Sequence, residues 1–255
     1  METAKAINIA LRAGNIMLSN GAETHRVEDT MRRILRALGQ ENGQAYATAT
    51  GLIASAGAGT PVAAVSRVQS RSYHMERIAR VNDLSRRLAA GETGADEIEG
   101  ELAQIEGLRP YPAWLRIAGS GVSSFCFCYM LGGQWRDAIC ALLCGLAVFC
   151  AVVLLERRDI SAFLCNMIFG AVISLFTLIF INIKLGIHMD KIIIGAIMPL
   201  VPGIAMTNAI RDIMAGDFLS GVSRITEALA IAVAIAVGVG FLLWARMGAA
   251  WGPAI

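Results

Sequence analysis

Residues Ile192–Gly221 read IIIGAIMPLVPGIAMTNAIRDIMAGDFLSG, an apolar run that is long enough to enter a bilayer. Pro199, Pro202 and Gly203 interrupt this run near its middle. A proline removes its own N–H and clashes with the carbonyl four residues earlier, so a continuous helix is not expected here. In hydrocarbon, such a break persists only inside protein or beside a water-filled cavity.

A polar face follows the break. Thr207, Asn208, Arg211 and Asp212 are spaced i, i+1, i+4 and i+5, which predicts that they share one side of a helix. A broken helix followed by a polar face is typical of the binding sites of small-solute transporters. The alternative is a proline kink beside a helix end, where Arg211 and Asp212 simply meet water.

Charge is unevenly distributed along the 255 residues, of which 56% are hydrophobic and 16% are charged. Residues 1–116 hold 14 of the 22 Lys and Arg and 13 of the 20 Asp and Glu. This pattern predicts a polar domain over 1–112 and a transmembrane domain over 113–255. The net charge is only +2, with arginines interleaved among acidic residues, which argues against a nucleic-acid partner.

Periodicity predicts that the polar domain is a small α+β domain with a helix hairpin, a strand pair and two further helices. A glycine-rich turn at 57–60 is expected to join the two strands. The predicted helices span 3–19, 24–38, 74–90 and 95–107, and the predicted strands span 44–56 and 60–70.

The apolar domain contains five segments of about the 20 residues that a helix needs to cross a bilayer. They predict a five-helix transmembrane bundle with a proline-broken fourth helix. Arg109 and Arg116 beside the first segment favour a cytoplasmic polar domain, and an odd number of spans then places the C-terminus outside. The predicted spans are 114–131, 138–155, 160–183, 192–213 and 222–244.

Signals for an enzyme, a metal or a cofactor are weak. His25, His74 and His188 accompany no recognisable nucleophile motif, and GxSxG does not occur. All six cysteines fall in the apolar domain without CxxC spacing, which predicts neither a metal site nor a disulfide framework. We therefore expect no catalytic residues and no cofactor.

Polar residues within the apolar segments are better indicators of function, because they are costly in a membrane unless paired or used. Asn166 and Asn208 are expected to need a partner or a solute. Glu227 is interpreted either as a buried ion-pair partner of Arg224 or Arg211 or as a proton carrier.

Two motifs in this chain resemble signatures of the threonine/serine exporter family. One is MPLVPGIAMTNAIRD at 198–212, followed by AGD at 215–217, and the other is GAETHRVEDTM at 21–31. The strand region and PVAAVSRVQSR at 61–71 are also similar, so the resemblance extends over nearly the whole chain. Single-chain members have about twice the spans predicted here, so the resemblance implies the split form, in which a small membrane-protein partner supplies the rest.

The resemblance implies export of small carboxylate-bearing metabolites across a bacterial inner membrane. The substrate is threonine or serine, or a succinate-like dicarboxylate, because some split members are assigned to dicarboxylates. Protons could drive export through Glu227 or Asp212. The alternative is a membrane-anchored ligand-sensing or regulatory subunit of a transport complex.

The substrate carboxylate is expected at the helix N-terminus that follows Pro202 and Gly203, where free N–H groups and the helix dipole favour an anion. The carbonyls of Gly195 and Met198, freed by the prolines, would help to hold an ammonium group.

Side chains on the polar face would complete this site. Asn208 or Asp212 would hold the ammonium of an amino acid, and Arg211 would hold the second carboxylate of a dicarboxylate. Alternatively, Arg211 and Asp212 pair with each other and gate the cytoplasmic mouth.

The motif at 21–31 has two interpretations. It is either a helix cap followed by a solvated charged face or, as the resemblance implies, a docking or gating element against the cytoplasmic ends of the spans. The residues assigned to this element are Gly21, Glu23, Arg26 and Glu28.

Overall fold

A computed structural model of the chain describes residues 2–57, 60–68, 72–94, 97–156, 158 and 160–250. The protein is mostly helical and contains a small three-stranded sheet. The helices are α1 (Thr3–Ser19), α2 (Thr24–Ala37), α3 (Met75–Ala89), α4 (Ile98–Glu106), α5 (Ala113–Met130), α6 (Trp135–Leu155), α7 (Ala162–Asn182), α8 (Met189–Ile197), α9 (Gly203–Met214) and α10 (Phe218–Ala250), and the strands are β1 (Gln44–Ala47), β2 (Gly51–Ala56) and β3 (Val62–Arg67).

The chain divides into two compact units, and the first is discontinuous in sequence. Unit 1 comprises Met1–Pro110 together with Gly203–Thr226, and unit 2 comprises 111–202 and 227–255. A division into contiguous domains at residue 112 therefore differs from the compact units, because α9 and the start of α10 belong with the polar residues of unit 1.

Apolar side chains from α1 to α4 and the sheet form the core of unit 1. Met17, Met31, Leu35 and Leu84 are fully buried there. Gly14 of α1 lies against Met31, so α1 and α2 pack closely. The same helix is also joined to α4, because Arg12 donates two hydrogen bonds to Glu106, at 2.8 and 2.6 Å. These hydrogen bonds hold the pKa of the Glu106 carboxyl below its usual range.

The sheet is antiparallel with the order β1-β2-β3. The prediction of a single strand over 44–56 is wrong, because Thr48 ends β1 in a turn in which its Oγ1 accepts from Gly51 N at 3.1 Å. Leu52, Ala54 and Ala56 face the core. Parts of the predicted turn at 57–60, of the second predicted strand and of the start of the helix at 95–107 lie outside the described residues.

Unit 2 holds the apolar helices. Among the described residues, three helices are long and apolar enough to cross a membrane, namely α6, α7 and α10 over Phe218–Arg246. A fourth candidate arises if Met189–Leu200 and Gly203–Met214 count as one span. The first predicted span is present as α5, which is less apolar and carries Arg116, paired with Glu156.

The apolar run that begins at Ile192 is not one continuous helix. Helix α8 ends at Ile197, a 3-10 turn covers Met198–Leu200, and α9 begins at Gly203. The expectation that the Met198 carbonyl is free is wrong, because it accepts a hydrogen bond from Val201 N at 3.2 Å. The 3-10 turn tightens the end of the helix and satisfies this carbonyl locally.

Glycines allow very close helix packing in unit 2. A Cβ built on Gly238 of α10 would lie 2.0 Å from the carbonyl oxygen of Met167 in α7. Gly170 of α7 makes the reciprocal approach to the backbone of Ile235. Small residues at such crossings let two backbones approach within a membrane.

Replacing Gly238 by Ala should therefore force α7 and α10 apart. We expect Gly238→Ala to destabilise the protein by about 1–3 kcal/mol, the typical cost of overpacking. Thermal unfolding of the purified full chain in an uncharged detergent measures this change.

The matched control is Gly240→Ala on the same helix, where an added Cβ meets nothing within 4 Å. It should be neutral or slightly stabilising, because Ala favours a helix by up to about 1 kcal/mol over Gly. Equal melting temperatures for the two variants would contradict the close packing.

Candidate functional site

The connection between α1 and α2 is a glycine turn that directs backbone carbonyls outward. Gly21 has a φ of +94° and follows the end of α1. Gly21 N donates to Leu18 O and Ala22 N donates to Met17 O, which is the Schellman pattern of a helix C-terminus. The carbonyls of Gly21 and Ala22 remain available for partners elsewhere in unit 1.

A second turn of the same kind joins α9 to α10. Gly216 has a φ of +91°, and Asp217 N donates to Asp212 O at 2.8 Å. The Asp217 side chain then accepts from Ser220 N at 3.2 Å, which caps the start of α10. The AGD motif thus folds Gly203–Thr226 into a tight helical hairpin, with Gly221 packed against Ile213.

Asp212 connects the two turns, and its side chain has no solvent exposure. Its Oδ1 accepts hydrogen bonds from Thr24 N at 3.1 Å and from Thr24 Oγ1 at 2.8 Å. Its Oδ2 lies 3.0 Å from Arg224 Nε, and the Arg224 side chain is only 7% exposed. A carboxylate in this position is stabilised by its donors and by the opposite charge rather than by water.

Backbone carbonyls of the first turn complete this arrangement. Arg224 Nη2 donates to Ala22 O at 2.9 Å, and Asn208 Nδ2 donates to Gly21 O at 2.8 Å. We call Gly21, Ala22, Thr24, Asn208, Asp212 and Arg224 the Asp212 cluster.

Arg211 lies at the edge of the Asp212 cluster. Its Nη1 pairs with Glu23 Oε1 at 2.5 Å, and its side chain is 60% exposed whereas that of Glu23 is 16% exposed. The alternative in which Arg211 and Asp212 pair with each other is wrong in this structure, because each is paired elsewhere. Thr207 is exposed, whereas Asn208 and Asp212 are buried, so the predicted polar face is split between solvent and the cluster.

The other charged residues assigned in the first motif, Arg26 and Glu28, do not belong to the Asp212 cluster. Glu28 accepts a hydrogen bond from Ala47 N at 2.9 Å and so joins α2 to β1. Arg26 is exposed and makes no ion pair within the described part of the chain. Of the charged residues assigned to docking, only Glu23 therefore meets a residue of the predicted fourth span.

The other predicted residues lie apart from the Asp212 cluster. Asn166 satisfies itself locally by donating to Ala162 O at 2.8 Å, so the expectation that it needs a partner or a solute is wrong. Thr207 likewise bonds Gly203 O at 2.9 Å, and Glu227 is exposed on α10. Pro199 and Pro202 flank the break in unit 2 and Gly203 begins α9.

Sequence reasoning missed Thr24 and assigned Arg224 only as a pairing candidate for Glu227. The sequence does contain a signal for Thr24. It lies three residues after a glycine that ends a helix, at the start of the next helix, where a side-chain oxygen is expected to form a hydrogen bond with the backbone or with a partner.

Among the described residues, no group of three or more His, Cys, Asp and Glu side chains is placed to hold a metal ion.

Removing the Asp212 carboxylate should destabilise the protein strongly. In Asp212→Ala, Arg224 would stay buried without its counter-charge and Thr24 would lose its acceptor. Breaking a buried ion pair on one side costs about 3–5 kcal/mol, and thermal unfolding of the full chain in detergent measures this loss.

Asp83→Asn is the control, because the Asp83 side chain is 69% exposed and water screens its ion pair with Arg87, so its loss should change stability little. The double variant Asp212→Leu, Arg224→Met should recover part of the lost stability, because it leaves no buried charge unpaired. An Asp212→Ala variant as stable as Asp83→Asn would contradict the assigned role of the cluster.

The comparisons with known proteins agree with one another. A family model described as "Putative threonine/serine exporter" matches residues 8–244. A "Probable threonine/serine exporter" of Mycobacterium tuberculosis is 26% identical over 90% of this chain and 44% of its own length. The "Threonine/serine exporter" of Corynebacterium glutamicum is 22% identical over 94% of this chain and 51% of its own length.

A "Probable succinate transporter subunit YjjP" of Escherichia coli is 24% identical over 94% of this chain and 95% of its own length. The chain thus spans about half the length of the two exporters and nearly all of the succinate transporter subunit. No solved structure matches the chain.

Proposed function

The chain belongs to the threonine/serine exporter family, and we propose that it is one subunit of a membrane exporter for small carboxylate-bearing metabolites. The observation that carries this proposal is that the two motifs of the chain are bonded to each other. Asp212 of the second motif binds Thr24 of the first across 188 residues of sequence. In this proposal, the polar domain acts on the region after the proline break through this contact.

A partner subunit supplies the remaining spans in this proposal. The support is that the relatives named as subunits match over nearly their whole length, whereas the exporters are about twice as long. The protein functions in a bacterial inner membrane with five spans, namely α5, α6, α7, the α8–α9 pair as a broken fourth span, and α10. The polar part of unit 1 is cytoplasmic and the C-terminus lies outside.

The substrate carboxylate binds at the N-terminus of α9, beginning at Gly203. The first N–H groups of a helix have no partner within the helix, and the positive end of the helix dipole attracts an anion. No catalytic step is involved, because transport needs only binding and a change of access.

The geometry favours a succinate-like dicarboxylate over threonine or serine. Arg211 is exposed and can exchange its Glu23 partner for the second carboxylate of the substrate. The Asp212 carboxylate, which would hold the ammonium of an amino acid, is enclosed by Thr24 and Arg224. Because Asp212 is enclosed, Glu227 is the better candidate for a coupled proton carrier.

Efflux from cells preloaded with radiolabelled succinate, threonine or serine tests this function. The chain is expressed alone and with the candidate partner subunit, and insertion of both chains is confirmed by immunoblotting of membranes. We expect efflux of succinate only when both chains are present. No efflux of any of the three solutes from cells that contain both chains would favour a sensing or regulatory subunit instead.

The Glu23–Arg211 pair provides a sharper test, because its charges can be exchanged. Glu23→Arg and Arg211→Glu should each slow efflux by roughly fivefold or more, the usual lower range for coupling between two sites. The double variant should recover much of the rate if the pair only gates access, and should stay slow if Arg211 itself holds the second carboxylate of the substrate.

The control is the swap Glu76→Arg, Arg80→Glu, which exchanges an ion pair within α3 whose residues take no part in the Asp212 cluster. It should leave the efflux rate close to that of the unmodified protein. Normal rates in both Glu23→Arg and Arg211→Glu would exclude a role for this pair in transport.

A further inference from the structure

The second half of α2 carries three arginines that line one cleft together with α3. Arg32, Arg33 and Arg36 form most of its wall, and Asp29 completes the polar lining. The cleft has a volume of about 550 Å³ and lies entirely within unit 1. None of these residues takes part in the Asp212 cluster.

Arg33 is fixed in position at the base of this arrangement. Its Nη2 pairs with Asp29 Oδ2 at 2.5 Å, and its Nη1 donates to Ser85 Oγ of α3 at 3.2 Å. A guanidinium held by two partners is preorganised, so less conformational entropy is lost when its remaining N–H groups bind a ligand.

Arg32 and Arg36 differ from most arginines on the helices of unit 1. Arg80 pairs with Glu76 and Arg87 pairs with Asp83, both within α3. Arg32 and Arg36, in contrast, make no hydrogen bond or ion pair with any residue that the structure describes. They are spaced i, i+4, so two like charges lie side by side, which destabilises a helix unless an anion lies between them.

The lining defines the chemistry of the occupant. Three arginines against one aspartate leave a formal charge of +2, which a dianion neutralises. The guanidinium fork matches the oxygens of a carboxylate or a phosphate. The apolar part of the lining is limited to Ala37 and Ala89, so the cleft offers neither an aromatic ring on which a nucleobase could stack nor a channel for an acyl chain.

We infer that this cleft is a binding site for a small soluble dianion, either a phosphate group or a compact dicarboxylate. Arg32 and Arg36 hold the ligand, and Arg33 contributes from its fixed position between Asp29 and Ser85. The site is separate from the proposed transport path and does not depend on which solute is exported.

Isothermal titration calorimetry on the purified full chain, in an uncharged detergent at low salt, tests this site. The probes are inorganic phosphate and succinate, with acetate as a monoanion. We expect both dianions to bind to the unmodified protein. The double variant Arg32→Gln, Arg36→Gln should bind each dianion about tenfold or more weakly, because two charge-assisted contacts are lost.

The matched control is Arg67→Gln, Arg109→Gln, which removes the same charge from exposed positions of unit 1 outside the cleft. This variant should bind like the unmodified protein. Melting temperatures establish that each variant is folded. If the double variant of the cleft is not folded, the single variant Arg32→Gln replaces it in the titration.

Four results would overturn the inference. The first two are the absence of binding by both dianions, and equal weakening of dianion binding in the cleft variant and the control. The third is binding of acetate as tight as that of succinate. The fourth is binding of a short-chain phosphatidic acid without binding of free phosphate or succinate. The last result would assign the cleft to a lipid headgroup. Because phosphate is not a proposed substrate, its binding to the cleft is independent of whether the efflux experiment succeeds.

Discussion

A carboxylate that is closed to solvent joins the two sequence segments of unit 1. The Asp212 carboxylate is stabilised by the hydrogen bonds of Thr24 and by the charge of Arg224, and Arg224 in turn bonds the Ala22 carbonyl. An ionised group without such partners would not tolerate burial. The contributions of Asp212, Thr24 and Arg224 to stability are therefore coupled, unlike those of separate surface ion pairs.

The backbone explains why these particular motifs are needed. Gly21 and Gly216 both adopt left-handed φ angles that end a helix and reverse the chain. The first reversal exposes the Gly21 and Ala22 carbonyls, and the second aligns α9 with the start of α10 so that Asp212 and Arg224 lie side by side. The motif glycines thus create the geometry, and the polar residues between them provide the bonds.

Local features of the sequence predicted local structure well. The α1 helix and its end at Gly21 follow from periodicity and from the glycine, and α3 lies within one residue of its predicted range at each end. Alternation alone missed the break between β1 and β2, because the turn depends on a hydrogen bond that the Thr48 side chain accepts from Gly51 N. Asn166 was assigned to partner binding because its bond to the preceding helical turn was overlooked. Thr24, the hydrogen-bond partner of Asp212, lies 188 residues away, and no local pattern encodes such a distance.

The discontinuity of unit 1 has a consequence for the order in which the protein is made. The ribosome completes residues 1–110 before it has synthesised 203–226, the segment that supplies Asn208, Asp212 and Arg224. At a synthesis rate of about 5–20 residues per second, the first part waits roughly 5–20 s for the second. During that interval the Gly21 and Ala22 carbonyls and the Thr24 N–H lack their final partners. The nascent polar domain is then most open to chaperones and proteases, and it closes only after α5 to α8 have been made.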